Sequence, residues 1–454
     1  MHALKRLASR GLTSTLRVAV PAAALAGALV LPGVGPAAAT DAAAAAPDRG
    51  AVHEAYVSMA GARAAGPAAV QRVHVLEVGR PQARQVVVLV PGQFGAANDF
   101  RALAEELVAR LPDTQVWAVD RREQDLADLG GFRSGPAAAA EYYLGGRYRA
   151  QTPQTAAYVG QWGLAVELDD LRQVVLAARN HGRRQVVLGG HSWGATTALA
   201  YAAWDFDGRP GYRDLAGLVD LDGGVHDAFA GEDDRYRLTV DQATAWQRQI
   251  AGGAVFDESL AAVAGRTETL PILRQLAGAY AVAAPDAPST LAPRLPALLR
   301  PTGPVTNAGL VTWLLASHPL VPDMSINPAY TPTASAARAL AGPVPGPLEW
   351  YWPNRLSLDL EAADPFRPTP VTALLGLRLW HARQIDVPLY SFASGLTRGT
   401  VNTAARWVVA NSRIPAATFA QNDAMTHLDT LWAAPARSTV LTTLTPFLAR
   451  LDER

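Results

Sequence analysis

The sequence predicts an α/β protein: a mostly parallel central sheet flanked by helices, with a large, mainly helical insert. Three observations predict it. Short apolar runs recur along the chain, the pattern of strands buried on both faces. Amphipathic stretches of helical period alternate with them. After Asp222 that alternation stops, and it resumes only near Val387.

The elements follow in order. Val73, Val75 and Val78 alternate with polar residues, as in a partly exposed strand over 70–78. Arg80-Pro81-Gln82 reads as a turn. Gln85 to Val90 is a buried strand ended by Pro91-Gly92. Asn98 or Asp99 can cap a helix whose Phe100, Leu103, Leu107 and Leu111 share one face. Gln115 to Val119 is the next strand, closing on Asp120. Residues 121–163, rich in Arg, Gly and Tyr, read as a long loop region. Leu164, Leu168, Leu171 and Val175 mark a second amphipathic helix. Strand Gln185 to Gly189 runs into a small-residue turn and an Ala- and Thr-rich helix over 194–204, able to approach a sheet closely. Leu215 to Leu221 is the fourth buried strand. Beyond the insert come a strand over 387–392, a helix over 402–410, a short strand over 417–420 and a terminal helix over 437–451. Right-handed crossovers follow from chain chirality.

Of the 454 residues 49% are hydrophobic and 18% charged, an ordinary globular balance. Lys+Arg and Asp+Glu both number 40, so no net field is available to attract nucleic acid or an anionic membrane. Lys5, Arg6, Arg10 and Arg17 precede an apolar stretch, Val18 to Val34, and Ala37-Ala38-Ala39 offers a small-residue cleavage site. This reads as a signal peptide over 1–39 and an exported product. A membrane span is the competing reading, weakened by Pro21 and Pro32 and by a length at the lower limit for crossing a bilayer. Residues 40–68 read as a flexible N-terminal segment, with core regions at 69–224 and 386–454 and the insert at 225–385. Cysteine is absent, so an exported form has no disulfide to draw on and rests on core size.

Gly190-His191-Ser192-Trp193-Gly194 fits the G-x-S-x-G pattern of a nucleophile elbow. It follows a buried strand and opens a small-residue helix. A nucleophile on so sharp a turn needs glycines two residues to either side for strand and helix to pack. A plain strand-to-helix turn is the bland alternative.

With this motif in its context the chain resembles the α/β-hydrolase superfamily over most of 70–225 and 386–454. Pro91-Gly92-Gln93-Phe94-Gly95 is similar to that superfamily's oxyanion loop. The resemblance implies backbone donors at Gln93 and Trp193, Ser192 as nucleophile, and a general base after the last strand. Of nine histidines only His427 sits there. His191 reads as a packing residue inside the elbow and His381 as structural, while nothing distinguishes His226 or His318. The acid most often follows the penultimate strand, but Ser391 to Thr397 holds no carboxylate. A lipase-like subset carries it one strand earlier, where this chain has Asp220-Leu221-Asp222-Gly223. Asp222 is favoured, with Asp220, Asp423 or no acid as the alternatives.

In this superfamily such an insert usually caps the nucleophile. Trp246, Trp313, Trp350, Trp352 and Trp380 lie in it, Glu349 to Pro353 being its most aromatic segment. These rings either line an apolar acyl pocket or build the insert's own core. Trp193 is expected at the substrate or the cap. The expectation is a secreted carboxylic ester hydrolase acting on a small, apolar ester, with no metal and no cofactor implied. Two rivals stay open. G-x-S-W-G is similar to the elbow of proline iminopeptidases, which need insert carboxylates such as Glu258, Glu268 or Glu361 for a substrate amine. A non-catalytic binding protein on the same fold is the other.

Overall fold

The computed structural model describes residues 52–232, 237–341 and 346–452. The expected signal segment, 1–39, lies outside them.

Eight strands form one sheet: β1 Glu54–Ala60, β2 Arg72–Val78, β3 Gln85–Val90, β4 Thr114–Asp120, β5 Gln185–His191, β6 Gly217–Leu221, β7 Leu389–Ser394 and β8 Ala417–Asn422. Their order is β1-β2-β4-β3-β5-β6-β7-β8. The pairings of β2 with β1 and β4 are antiparallel and all others parallel. Parallel strands bury both faces, and β3 and β4 accordingly have no exposed residue.

The core helices are α1 Arg101–Arg110, α2 Pro136–Leu144, α3 Leu164–Arg179 and α4 Trp193–Ala203. Every residue of α4 is buried, as its small side chains permit. Among the described residues the insert helices longer than one turn are α5 Val240–Ala251, α6 Thr269–Ala283, α7 Asn307–Thr312, α8 Thr333–Ala341, α9 Asn354–Glu361 and α10 Pro370–Leu375. The core continues with α11 Thr400–Ala410, a single turn at Asp429–Trp432 and α12 Thr439–Asp452.

Three expectations need correction. Part of the segment read as flexible, 40–68, is strand: β1 pairs with β2 along its whole length, from Glu54 opposite Val78 to Ala60 opposite Arg72. Its pattern is weak because it is an edge strand, partly exposed on both faces. The loop region 121–163 contains α2, started by Pro136 at its first turn and continued by four alanines. Neither Asn98 nor Asp99 caps α1. A short 3₁₀ turn, Ala97–Phe100, leads into it, and the Asp99 carboxylate accepts from the Ala96 N–H instead.

The insert is fastened to the core rather than perched on it. Glu349 N–H donates to the Phe94 carbonyl at 3.0 Å. Trp350 packs edge-on against Tyr143 and Tyr148 of the β4–α3 connection. Trp352 packs against Phe94 and Trp193. The aromatic segment therefore forms a seam between insert and core.

Candidate active site

Ser192 stands between β5 and α4 with φ 58° and ψ −126°, a sparsely populated positive-φ conformation that costs a non-glycine residue roughly 1–3 kcal/mol. The surrounding chain makes this turn fit. A Cβ on Gly190 would lie 2.1 Å from the Gly194 carbonyl carbon, and one on Gly194 would lie 2.0 Å from the Val90 oxygen. No side chain can occupy either place. The turn sets Ser192 at the N-terminal, positive end of α4.

Asp222 follows β6 directly, fully buried, with φ 51°. Its Oδ2 lies 2.6 Å from Nδ1 of His427. Ser394 at the end of β7 donates its N–H to Oδ1 at 2.7 Å and its hydroxyl to Oδ2. A carboxylate can only accept, so the imidazole proton sits on Nδ1 and leaves Nε2 as an acceptor. The departure at the end of β7 thus has a structural counterpart: a serine there grips a carboxylate supplied by the neighbouring strand.

The alternative acids lie elsewhere. Asp220 is one pleat deeper and buried, with Oδ1 unpartnered. Burial pushes its carboxyl well above the usual range, into the neutral form. Asp423 accepts from the Gln421 amide and makes no hydrogen bond to His427.

The His427 loop is held from two sides. His191 Nε2 lies 3.1 Å from the His427 carbonyl. Burial, and secondarily the neighbouring His427, hold the His191 ring well below its usual pKa. It is therefore neutral and donates there. Asp429 accepts from the N–H and hydroxyl of Thr426, the N–H of Asn327 and the hydroxyl of Thr331, tying this loop to the insert. His381 bonds Asp205 at 2.7 Å, as a structural histidine.

The Pro91–Gly95 loop faces the elbow, and its support was not legible in the sequence. Arg121, fully buried, donates to the carbonyls of Pro91 and Gly92. In a trans peptide the carbonyl and the following N–H point in opposite directions. Drawing the Gly92 carbonyl toward Arg121 therefore turns the Gln93 N–H the other way. That N–H donates to no group among the described residues. The Gln93 side chain donates to Asp257 at 3.0 Å, so the insert also steadies the loop. Glu167 at 3.0 Å and Glu349 at 3.5 Å balance Arg121, which also lies over the Trp352 ring. A third carboxyl, Glu123, is driven up to about 8, first by burial and then by Glu167.

Gly92, Gln93, Ser192, Trp193 and His427 line one cavity. No hydrogen bond joins Ser192 Oγ to His427 among the described residues. The volume of about 50 Å³ is room for a few water molecules. Leu315, Met324, Leu340 and Leu348 of the insert form its apolar wall with Trp432. The tryptophans singled out in the insert do not line it, nor do His226 and His318. Trp193 does. Four residues with ionisable side chains also line it: Asp99, Glu232, Arg274 and Asp323.

No family model matches the chain, and no curated protein matches it. Solved structures do. A lipase candidate from Sulfolobus solfataricus superposes with a TM-score of 0.52 at 16% identity, over 89% of this chain and 95% of its own. The chain has the α/β-hydrolase fold. An epoxide hydrolase from an endophytic Streptomyces aligns at 18% identity over 88% and 96% of the two chains, TM-score 0.43. A soluble variant of monoglyceride lipase from Saccharomyces cerevisiae aligns at 11% identity over 84% and 91%, TM-score 0.41. At these identities the likeness speaks for the fold alone.

Proposed function

We propose that the protein is a serine hydrolase that cleaves carboxylic esters through an acyl-enzyme, exported by means of residues 1–39. The observation that carries this reading is the 2.6 Å contact of Asp222 with Nδ1 of His427, which lines the same cavity as an elbow serine. Ser192 Oγ attacks the ester carbonyl as His427 Nε2 takes its proton. Asp222 keeps the imidazole in the accepting tautomer and stabilises the imidazolium. The backbone N–H groups of Gln93 and Trp193 receive the oxyanion. His427 then protonates the leaving alkoxide, and water repeats the sequence on the acyl-enzyme. Catalytic hydrogen bonds are often loose without substrate, so the open Ser192–His427 contact fits a resting site.

The cavity lies between the core and the insert, so the insert wall bears on which esters enter. No helix among the described residues is long and apolar enough to cross a membrane.

A fluorophosphonate should label Ser192 of the wild-type protein and fail to label Ser192→Ala. Folded wild-type protein that resists labelling refutes the reading and leaves the non-catalytic alternative. Aminoacyl amides belong in the same assay. Glu258, Glu268 and Glu361 do not line the cavity, but the carboxylates Glu232 and Asp323 do, so an aminopeptidase is the second reading. N-terminal sequencing of exported protein tests the cleavage after Ala39.

A further inference from the structure

The apolar wall of the cavity is interrupted by one cation. Arg274 lies in the first half of α6 and is 2% exposed. Its Nε and Nη1 are buried with no hydrogen-bond partner. No carboxylate ion-pairs with it among the described residues, although Glu232, Asp323 and Asp99 line the same wall. The contrast with the other buried arginines is sharp. Arg121 is met by Glu167 and Glu349, and Arg122 by both oxygens of Asp170. Burying a guanidinium is costly unless a counter-charge or acceptors offset the lost hydration. Arg274 has neither, and it faces the space that Ser192 and His427 share.

The wall's carboxyls do not take up that role. Asp99 accepts from the Ala96 N–H through Oδ2, while its Oδ1 is unpartnered. Burial pushes Asp99 well above the usual carboxylate range, which weakens it as a counter-charge. Burial alone moves Arg274 down to about 10, which leaves it charged at neutral pH. A still-charged guanidinium that pairs with none of the carboxyls in its wall is complementary to one kind of ligand group: an oxyanion with two acceptor oxygens.

We infer that Arg274 is a specificity residue that receives an ionised acid group of the substrate, so that the preferred esters carry a carboxylate or phosphate besides the scissile bond. The inference rests on the ester-hydrolase reading above and adds a substrate class to it. The anionic group fills the open donor positions of Arg274 as the apolar part packs on Leu315 and Leu340. The carbonyl is thereby set between Ser192 and the Gln93 loop. The α6–α8 contact, where Gly278 meets Leu340, holds Arg274 in register with that wall.

The test compares kcat/KM on matched p-nitrophenyl esters of varied length. One series is neutral, ending in methyl. A second ends in carboxylate, and a third ends in phosphate. A fourth, cationic series ends in ammonium. At the best length one of the anionic series should exceed the neutral one by about 10- to 100-fold, the worth of a charge-assisted hydrogen bond. Whichever series responds identifies the acid. In Arg274→Gln and Arg274→Leu the anionic-to-neutral ratio should fall to near one, while Arg274→Lys should keep part of it. Thermal unfolding of each variant checks that it is folded. Neutral esters turned over as fast as anionic ones, an ammonium preference, or a ratio unmoved in Arg274→Gln overturns the inference and leaves the hydrolase reading intact. Absence of both ester turnover and Ser192 labelling overturns the two together.

Discussion

The proposed role of Asp222, just after β6, makes a sharp prediction for Asp222→Asn. Three donors converge on the carboxylate: His427 Nδ1–H, Ser394 N–H and the Ser394 hydroxyl. Asparagine offers one accepting oxygen and one NH₂ group in the same volume. The oxygen is best placed toward the Ser394 backbone N–H, which is fixed by β7. The NH₂ then faces His427, which must accept at Nδ1 and move its proton to Nε2. In that tautomer it cannot take the Ser192 proton. A tautomer inversion of this kind costs about 10⁴-fold in kcat, roughly 5.5 kcal/mol of transition-state stabilisation. The fold should survive, because the lost charge-assisted hydrogen bonds are worth about 1.5–3 kcal/mol each and neutral ones replace most of them. The assay is kcat/KM on a p-nitrophenyl ester, with thermal unfolding beside it and Asp220→Asn as the paired control. Asp220 is held neutral by burial and bonds nothing at His427, so its amide should leave the rate unchanged. An Asp222→Asn enzyme within tenfold of wild type, or an equal loss in Asp220→Asn, refutes the assignment.

Two further outcomes follow. Ser394→Ala removes the hydroxyl donor to Asp222 but keeps the backbone one, so kcat/KM should drop by about tenfold while Tm moves by only a few degrees; an unchanged rate means that the grip of Ser394 on the acid does not matter. Glu123 is protonated in the folded protein up to about pH 8 but ionises near its usual value when unfolded. Between those limits the folded state binds the extra proton, so this group's contribution falls as pH rises. Glu123→Gln removes the penalty: its Tm should match wild type near pH 5 and exceed it increasingly toward pH 8, and a constant difference across that window refutes the assignment.

Much of the site was readable because the chemistry is local. Gly190 to Gly194 is one turn, and its glycines are demanded by contacts a few residues away. His427 could be picked out because only one histidine follows the last strand. The acid could not be fixed from spacing, since Asp220 and Asp222 share a face of β6. What separates them is depth, and the presence of Ser394 on the neighbouring strand. Arg121, Asp429 and Arg274 gave no signal, because an arginine or aspartate in a polar-looking stretch reads as surface until its surroundings are known. The insert's tryptophans left two readings open for the same reason: Trp350 and Trp352 are buried against the core while Trp380 is exposed, and composition does not say which ring meets which partner.

The sequence by itself determined the strand–helix alternation, the sharp turn at Ser192 and the single histidine after the last strand. Each is written in periodicity or in a turn that only certain residues can make. Tertiary structure alone decided which carboxylate meets the imidazole, that Arg121 turns the Gln93 peptide, and that Arg274 is buried facing the cavity without a counter-charge. These depend on residues far apart in the chain and on the loss of water around them, and solvation is a property of the folded surroundings.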